Sequence, residues 1–205
     1  MARALLDASL EILSKVGADG LSLREAARRV GVNHRAVYRY YEDKRALLAA
    51  IAEAGYRALG ADARAAVAAA AAQAEREQWT EQARCRAALI AVAEAYLRFA
   101  QREPARYLVM FGPRLNIDER FPTLEAAIRD VVAVLLEELA RAGPHAASRV
   151  RRDAGISLWS SMHGLTSLVL AGRIPLRETR VHAYVTSVMA PVVDGILALL
   201  ARTEP

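Results

Sequence analysis

The side chains with the most chemistry to offer stand close together. Between Ser22 and Arg45 the chain places seven cations, Arg24, Arg28, Arg29, Arg35, Arg39, Lys44 and Arg45, against three carboxylates, Glu25, Glu42 and Asp43. The formal net charge of the whole chain is only +5, so most of its positive excess lies in this one segment. His34, Tyr38, Tyr40 and Tyr41 are interleaved with the cations. Guanidinium, ammonium and phenol groups suit phosphate oxygens, and an arginine can hold a guanine edge through two parallel hydrogen bonds. The set points to reversible binding of nucleic acid. Net charge alone would only permit it.

Other chemistries find less support. No paired carboxylates, glycine-rich phosphate loop or nucleophile–base spacing stands out, which argues against an enzyme. The histidines at 34, 145, 163 and 182 do not cluster, and Cys85 has no Cys or His within a helical turn. No metal and no cofactor is therefore expected. A single cysteine cannot form a disulfide within the chain, which suits a reducing, cytoplasmic setting. Asp7, Glu11 and Asp19 leave no charge-free core for a signal peptide. The uncharged run from Ala154 to Gly172 is long enough to consider as a membrane span, but its serines, its threonine and His163 favour a buried globular helix. No membrane partner is expected.

These side chains need a scaffold, and the composition makes it helical. The 205 residues are rich in Ala, Leu, Arg and Glu, only 6% are aromatic, and β-branched residues rarely alternate with polar ones. The expected fold class is all-α. A hydrophobic share of 54% against 25% charged argues against a disordered chain. A first helix is predicted over 2–16, with Leu6, Leu10 and Leu13 in one stripe and Leu5, Ala8, Ile12 and Val16 in its neighbour. Gly17, Asp19 and Gly20 end it. Ser22-Leu23-Arg24-Glu25 has the form of a capping box, in which hydroxyl and carboxylate each satisfy a free N–H. It opens a second helix with Leu23, Ala26, Ala27 and Val30 inward. Gly31 follows where a left-handed residue is wanted. Asn33 can cap a short third helix over 34–41, with Ala36, Val37 and Tyr40 near its inward side and His34, Arg35, Tyr38 and Arg39 outward. Asp43 can cap a fourth, which begins at Lys44 and buries Leu47, Leu48 and Ile51. Two short helices joined only by Gly31-Val32-Asn33 must cross steeply. That is the helix-turn-helix unit, whose second helix enters the major groove.

At this point the stretch from Gly20 to Leu48 resembles the DNA-binding region of tetracycline-repressor-type (TetR family) transcriptional regulators. The resemblance covers about residues 3–52 and rests on Ala27, Gly31-Val32, Val37-Tyr38, Tyr41, Lys44 and Leu47-Leu48. It implies a homodimer that binds a palindromic operator in double-stranded DNA, usually represses, and is released by a small-molecule effector. Carried over residue by residue, it makes Ser22 and Tyr38 phosphate contacts, Tyr40 a backbone contact and Lys44 a phosphate grip. Arg24, His34, Arg35 and Arg39 sit where base readers vary among members. Ala36 departs from the family, which often has Ser or Thr there, so that hydroxyl contact is missing. Few residues precede the first helix, so no basic arm for the minor groove is expected. Specificity then falls to the second and third helices.

The DNA-binding domain is expected over 1–50, and a helical effector-binding and dimerisation domain over 51–205. The fourth helix should continue past Gly60 with a bend at the glycines, followed by helices over 81–101, 104–111, 123–142, 146–171 and 177–201, with a loop over 112–122 and a kink at Pro191. In the helix around Trp159, the small residues Ser157, Ser160, Gly164, Ser167 and Ala171 form a seam. Leu158, Met162, Leu165 and Val169 form a second stripe, and Ile156, Trp159, His163, Thr166 and Leu170 a third. A helix apolar all round is buried on most faces, which in a small domain needs a partner. The last two helices, with Val188 and Val192 on the final one, are the expected dimer interface, paired as a four-helix bundle. Trp159, His163 and Gly164 also resemble the Trp…His-Gly signature of one TetR-family C-terminal domain. An effector pocket would draw on Tyr96, Phe99, Tyr107, Met110, Phe111, Trp159, Met162 and His163, and would suit an apolar or aromatic molecule with one or two polar anchors. The alternative is a helical bundle that binds a ligand or catalyses a reaction without binding DNA.

Overall fold

The computed structural model describes residues 1–202. Among the described residues the regular structure is helical: α1 (Ala2–Gly20), α2 (Leu23–Val30), α3 (His34–Val37), α4 (Lys44–Glu77), α5 (Glu81–Arg102), α6 (Pro104–Met110), α7 (Pro122–Ala142), α8 (Ser148–Leu170), a 3₁₀ turn (Glu178–Arg180) and α9 (Val181–Arg202). The all-α expectation holds. The chain forms two compact units, one of Met1–Ala58 with Glu103–Arg129, the other of Leu59–Arg102 with the described residues from Asp130 onward. A division at residue 50 therefore differs from the division by contacts, because α6 and the start of α7 fold with α1, α2 and α3.

In the first unit, α1 buries Leu5, Ala8, Ser9, Ile12 and Leu13 and packs on α2 and α6. Gly17 breaks the helix with φ 69° and ψ −176°. Val16, expected inward, is exposed, because the chain turns away one residue later. α6 crosses the start of α4 at Gly55, where a Cβ would lie 2.9 Å from Arg106 Cγ and would also strike Met110 Sδ. α4 is one helix from Lys44 to Glu77, so close approach of α6, and not a break in the helix, explains this glycine. The Tyr56 hydroxyl donates to the Met110 carbonyl at 2.8 Å, and burial pushes its pKa up to about 12.

The turn between α2 and α3 closes tightly. Gly31 is left-handed, with φ 74° and ψ 29°. Val32 N–H donates to Ala27 at 3.0 Å and Gly31 N–H to Arg28 at 3.2 Å, the paired bonds that satisfy the last carbonyls of a helix. Asn33 Oδ1 accepts Arg35 N–H at 2.9 Å and so opens α3. The turn takes three residues, and two of its N–H groups return to the last carbonyls of α2.

In the second unit, α5, α8 and α9 pack mutually. α5 contributes Leu89, Val92, Tyr96 and Phe99, α8 contributes Leu158, Met162 and Leu165, and α9 contributes Val185, Met189, Val193 and Leu197. The buried Glu138 of α7 meets Arg84 of α5 at 3.0 Å. Arg151 Nη1 donates to the Gly143, Pro144 and Ala146 carbonyls, holding the C-terminal end of α7. The described helix long and apolar enough to cross a membrane is the stretch Glu178–Arg202, and its apolar stripe is the one packed on α5 and α8. In α8 only Ala154, Gly155, Leu158, Met162, Leu165 and Thr166 are buried, so within one chain this helix has one covered side and one open side.

Gly31→Ala tests the turn. A Cβ there meets nothing within 4 Å, so its cost is backbone strain alone, about 1–2 kcal/mol. Urea unfolding should show that loss, and an unchanged midpoint would contradict the assigned geometry.

Candidate nucleic-acid interface

The side chains that could meet DNA are presented by caps and turns. Ser22, extended at φ −135° and ψ 149°, caps α2 by accepting Glu25 N–H on its Oγ at 3.2 Å. Its hydroxyl proton stays available for an outside acceptor. The reciprocal half of the expected capping box is not formed. Glu25 instead takes two bonds from Arg28, at 2.9 and 2.7 Å, and one from Arg29 at 3.4 Å. Guanidinium groups three and four residues along a helix are stronger partners than a neutral N–H. The Arg28 bond is the main reason that the Glu25 carboxyl is held below its ordinary pKa.

α3 ends at Val37, four residues earlier than the 34–41 expected. Arg39 N–H and Tyr40 N–H then reach back three residues, to Ala36 at 3.3 Å and Val37 at 2.9 Å. This tightened last turn decides which tyrosine packs. Tyr41 N–H still reaches Val37, at 3.0 Å. Its ring follows Val37 inward and is 8% exposed, and its hydroxyl points to the Ala2 carbonyl at 3.5 Å. Tyr38 and Tyr40 are 53% and 49% exposed. The expectation that Tyr40 lies near the inward side is thus corrected; the structural tyrosine is Tyr41.

The seven cations divide by what holds them. Arg28 and Arg29 are tied to Glu25, and Arg29 also reaches Glu11 at 3.1 Å. Lys44 Nζ donates to the Asp19 carbonyl at 3.1 Å. Arg45 pairs with Asp118. Arg24, Arg35 and Arg39 are exposed, and among the described residues none has an ion-pair partner. His34 is exposed beside them. The arrangement offers unpaired positive charge and two phenols on one short, rigid turn-and-helix unit. Sequence reasoning missed the partners that the 112–122 loop supplies to this region, because a loop has no period and these partners are far apart in sequence.

The eight expected pocket residues fall in different units. Tyr107, Met110 and Phe111 belong to the first, where the Phe111 ring lies 4.7 Å from Tyr107 and 5.7 Å from Tyr56 between centroids. Tyr96, Phe99, Trp159, Met162 and His163 belong to the second. There Tyr96 Oη and His163 Nδ1 share a hydrogen bond of 2.9 Å, and the Trp159 ring lies 6.0 Å from that of His163. Burial lowers the His163 pKa. Phe99 and Met162 are buried, and Trp159 is 45% exposed. Of the expected dimer residues, Ser157, Ser160, Gly164, Ser167, Ala171 and Val188 are exposed and Val192 is half-buried.

Comparison with known proteins bears directly on these faces. Residues 5–51 match the family described as bacterial regulatory proteins, tetR family. Residues 89–192, just over half of the chain, match the tetracyclin repressor-like, C-terminal domain. The chain belongs to the TetR family of transcriptional regulators. This family binds DNA through a helix-turn-helix and is not a family of enzymes. Among curated relatives, the tetracycline repressor protein class A from transposon 1721 of Escherichia coli is 48% identical over 50 residues, 24% of this chain and 23% of that protein. The class C repressor of Escherichia coli is 47% identical over 51 residues, 25% of this chain and 23% of that one. The matched stretch spans about a quarter of those repressors. A solved protein of unknown function from Rhodococcus sp. RHA1 is 26% identical and superposes with a TM-score of 0.73, covering 95% of this chain and 94% of that one. The TetR family transcriptional regulator PfmR from Thermus thermophilus, 17% identical, shares the fold with a TM-score of 0.63 over 95% of this chain and 97% of that one.

For this TetR-family chain, two substitutions should behave differently. Arg35→Ala is expected to cost about 1–3 kcal/mol and to relax one base position, whereas Lys44→Ala should weaken all sequences alike and reduce the salt slope by about one. Salt-titrated binding to a set of single-base operator variants checks both. A uniform loss for Arg35→Ala would make it a phosphate contact only.

Proposed function

We propose that the protein is a ligand-released repressor that binds a palindromic operator as a homodimer. The observation that carries this reading is the set of unpaired, exposed Arg24, Arg35 and Arg39 beside Tyr38 and Tyr40, presented by a capped turn. Ser22, Tyr38, Tyr40 and Lys44 position the protein on phosphates, and Arg24, His34, Arg35 and Arg39 read base edges. DNA binding lies in residues 1–50, and effector binding and dimerisation in 51–205. The setting is the cytoplasm.

The homodimer is supported by the open sides of α8 and α9. Ile156, Leu168, Val188 and Leu199 are large apolar side chains left exposed. The seam of Ser157, Ser160, Gly164, Ser167 and Ala171 is small enough for a second helix to approach closely. A Cβ added at Gly164 or Gly195 meets nothing within 4 Å, so there is room for one. An exposed apolar patch of this kind marks an interaction surface, and a two-fold dimer uses the same patch on both copies. The effector is apolar or aromatic. Tyr96, Trp159, Met162 and His163 are its most suitable contacts, with the Tyr96–His163 pair as a polar anchor.

Sedimentation of the wild type and of Ser160→Arg tests the assembly, since an arginine placed in the small seam of an interface is buried without a partner. The wild type is expected to be a dimer at micromolar concentration. The variant should be a monomer with unchanged helicity that has lost about 100-fold or more in operator affinity, because its two half-sites are no longer linked. A monomeric wild type that binds operator with full affinity would contradict the proposal.

A further inference from the structure

Two carboxylates interrupt the basic face. Glu42 and Asp43 lie between Tyr41 and Lys44, and as free anions they would repel the phosphates that Lys44 is placed to hold. Asp43 has a fixed task. Its Oδ1 accepts Ala46 N–H at 2.7 Å and so caps α4 at the turn that carries Lys44.

The compensating charge comes from a part of the chain 77 residues away. Arg120 Nη1 lies 3.0 Å from Asp43 Oδ2, and its Nη2 lies 3.1 Å from the same oxygen and 3.0 Å from Glu42 Oε2. One guanidinium thus spans both carboxylates. The Ala46 N–H bond, reinforced by Arg120 and Arg45, holds the Asp43 carboxyl below its ordinary pKa. Arg120 is itself fixed. Its guanidinium sits 5.1 Å from the Phe121 ring centroid and that of Arg45 sits 5.7 Å from it, while Arg45 pairs with Asp118. The buried Asn116 accepts Phe121 N–H at 2.8 Å and donates to Glu125 at 3.1 Å. Thr123 Oγ1 donates to Glu53 of α4 at 2.7 Å. The segment 116–123 is a strap that grips the start of α4.

We propose that Arg120 is a positioning residue of the DNA-binding face, which cancels the charges of Glu42 and Asp43 beside Lys44 and fixes the cap from which α4 presents that lysine. The inference rests on the DNA-binding reading above. Exposed ion pairs contribute little to stability, but a charge at this place sets the local field that DNA meets. Glu42 is 84% exposed on its side chain, so its tie to Arg120 changes the face far more than the core.

The test uses the full chain and a fluorescent mixed-sequence duplex at low salt, because phosphate contacts supply non-specific binding and no operator is required. Arg120→Ala should weaken binding about tenfold, and adding Glu42→Gln should recover most of that loss. Arg120→Gln, which keeps the stem over Phe121 without the charge, should show the same loss and keeps the test open if the alanine variant does not fold. Circular dichroism and thermal unfolding monitor the fold. Arg120 variants that bind within about twofold of wild type overturn the inference. So does a loss that Glu42→Gln leaves unchanged, which would make the tie merely structural. In both cases the DNA-binding reading stands. A wild type that binds no duplex at low salt overturns that reading and this inference with it.

Discussion

At Gly31 the backbone takes φ 74° and ψ 29°, a conformation in which most residues would be strained, and two N–H groups return to the carbonyls of Ala27 and Arg28. α2 is thereby closed at its last residue, and Asn33 opens α3 three residues later. Val37 then points inward, Tyr41 follows it, and His34, Arg35, Tyr38, Arg39 and Tyr40 are left on the outside. The positions of these side chains follow from that one reversal. A longer or looser turn would leave the same residues on a helix of undefined direction. A side chain that reads a base edge must be held within a fraction of an ångström, which a mobile helix cannot do.

The electrostatic arrangement follows the same plan. Cations that shape the unit are tied internally: Arg28 and Arg29 to Glu25, Lys44 to the Asp19 carbonyl, Arg45 to Asp118. Arg24, Arg35 and Arg39 are not. Arg35 also stands in the first turn of α3, at the positive end of the helix, where a cation is locally unfavourable. Local rules broken on the surface, with no compensating contact inside the chain, mark a face that an outside anion completes. Arg120 is the converse case, a cation brought in to cancel the anions that the α4 cap requires.

How much of this could be read from the sequence depends on the range of the interactions. Capping by Ser22, Asn33 and Asp43 and the left-handed Gly31 involve neighbours within a few residues, so the helix-turn-helix was legible. α5, α6 and α7 lie within a residue or so of their expected limits for the same reason, since Pro104 and Pro122 each begin a helix. The exchange of roles between Tyr40 and Tyr41 was not legible, because it depends on a last turn tightened to three-residue bonds. The tie from Arg120 to Glu42 and Asp43 joins residues 77 and 78 positions apart, with no spacing to announce it. The aromatic and Met residues expected in one pocket divide between the two units, since helical period cannot separate a core position from a lining position. The open side of α8 reads as buried for a related reason: an apolar stripe left open within one chain looks, in sequence, like one already covered.

The proposed function requires that the face set by Gly31 read a two-fold symmetric DNA site. Selection of binding sites from a random duplex pool, followed by footprinting of the enriched sequence, measures this directly. The expected result is a palindrome whose half-sites are centred about one helical turn, roughly 10 base pairs, or a multiple of it apart. Enrichment of a single asymmetric site, or of nothing beyond salt-sensitive non-specific binding, would contradict it.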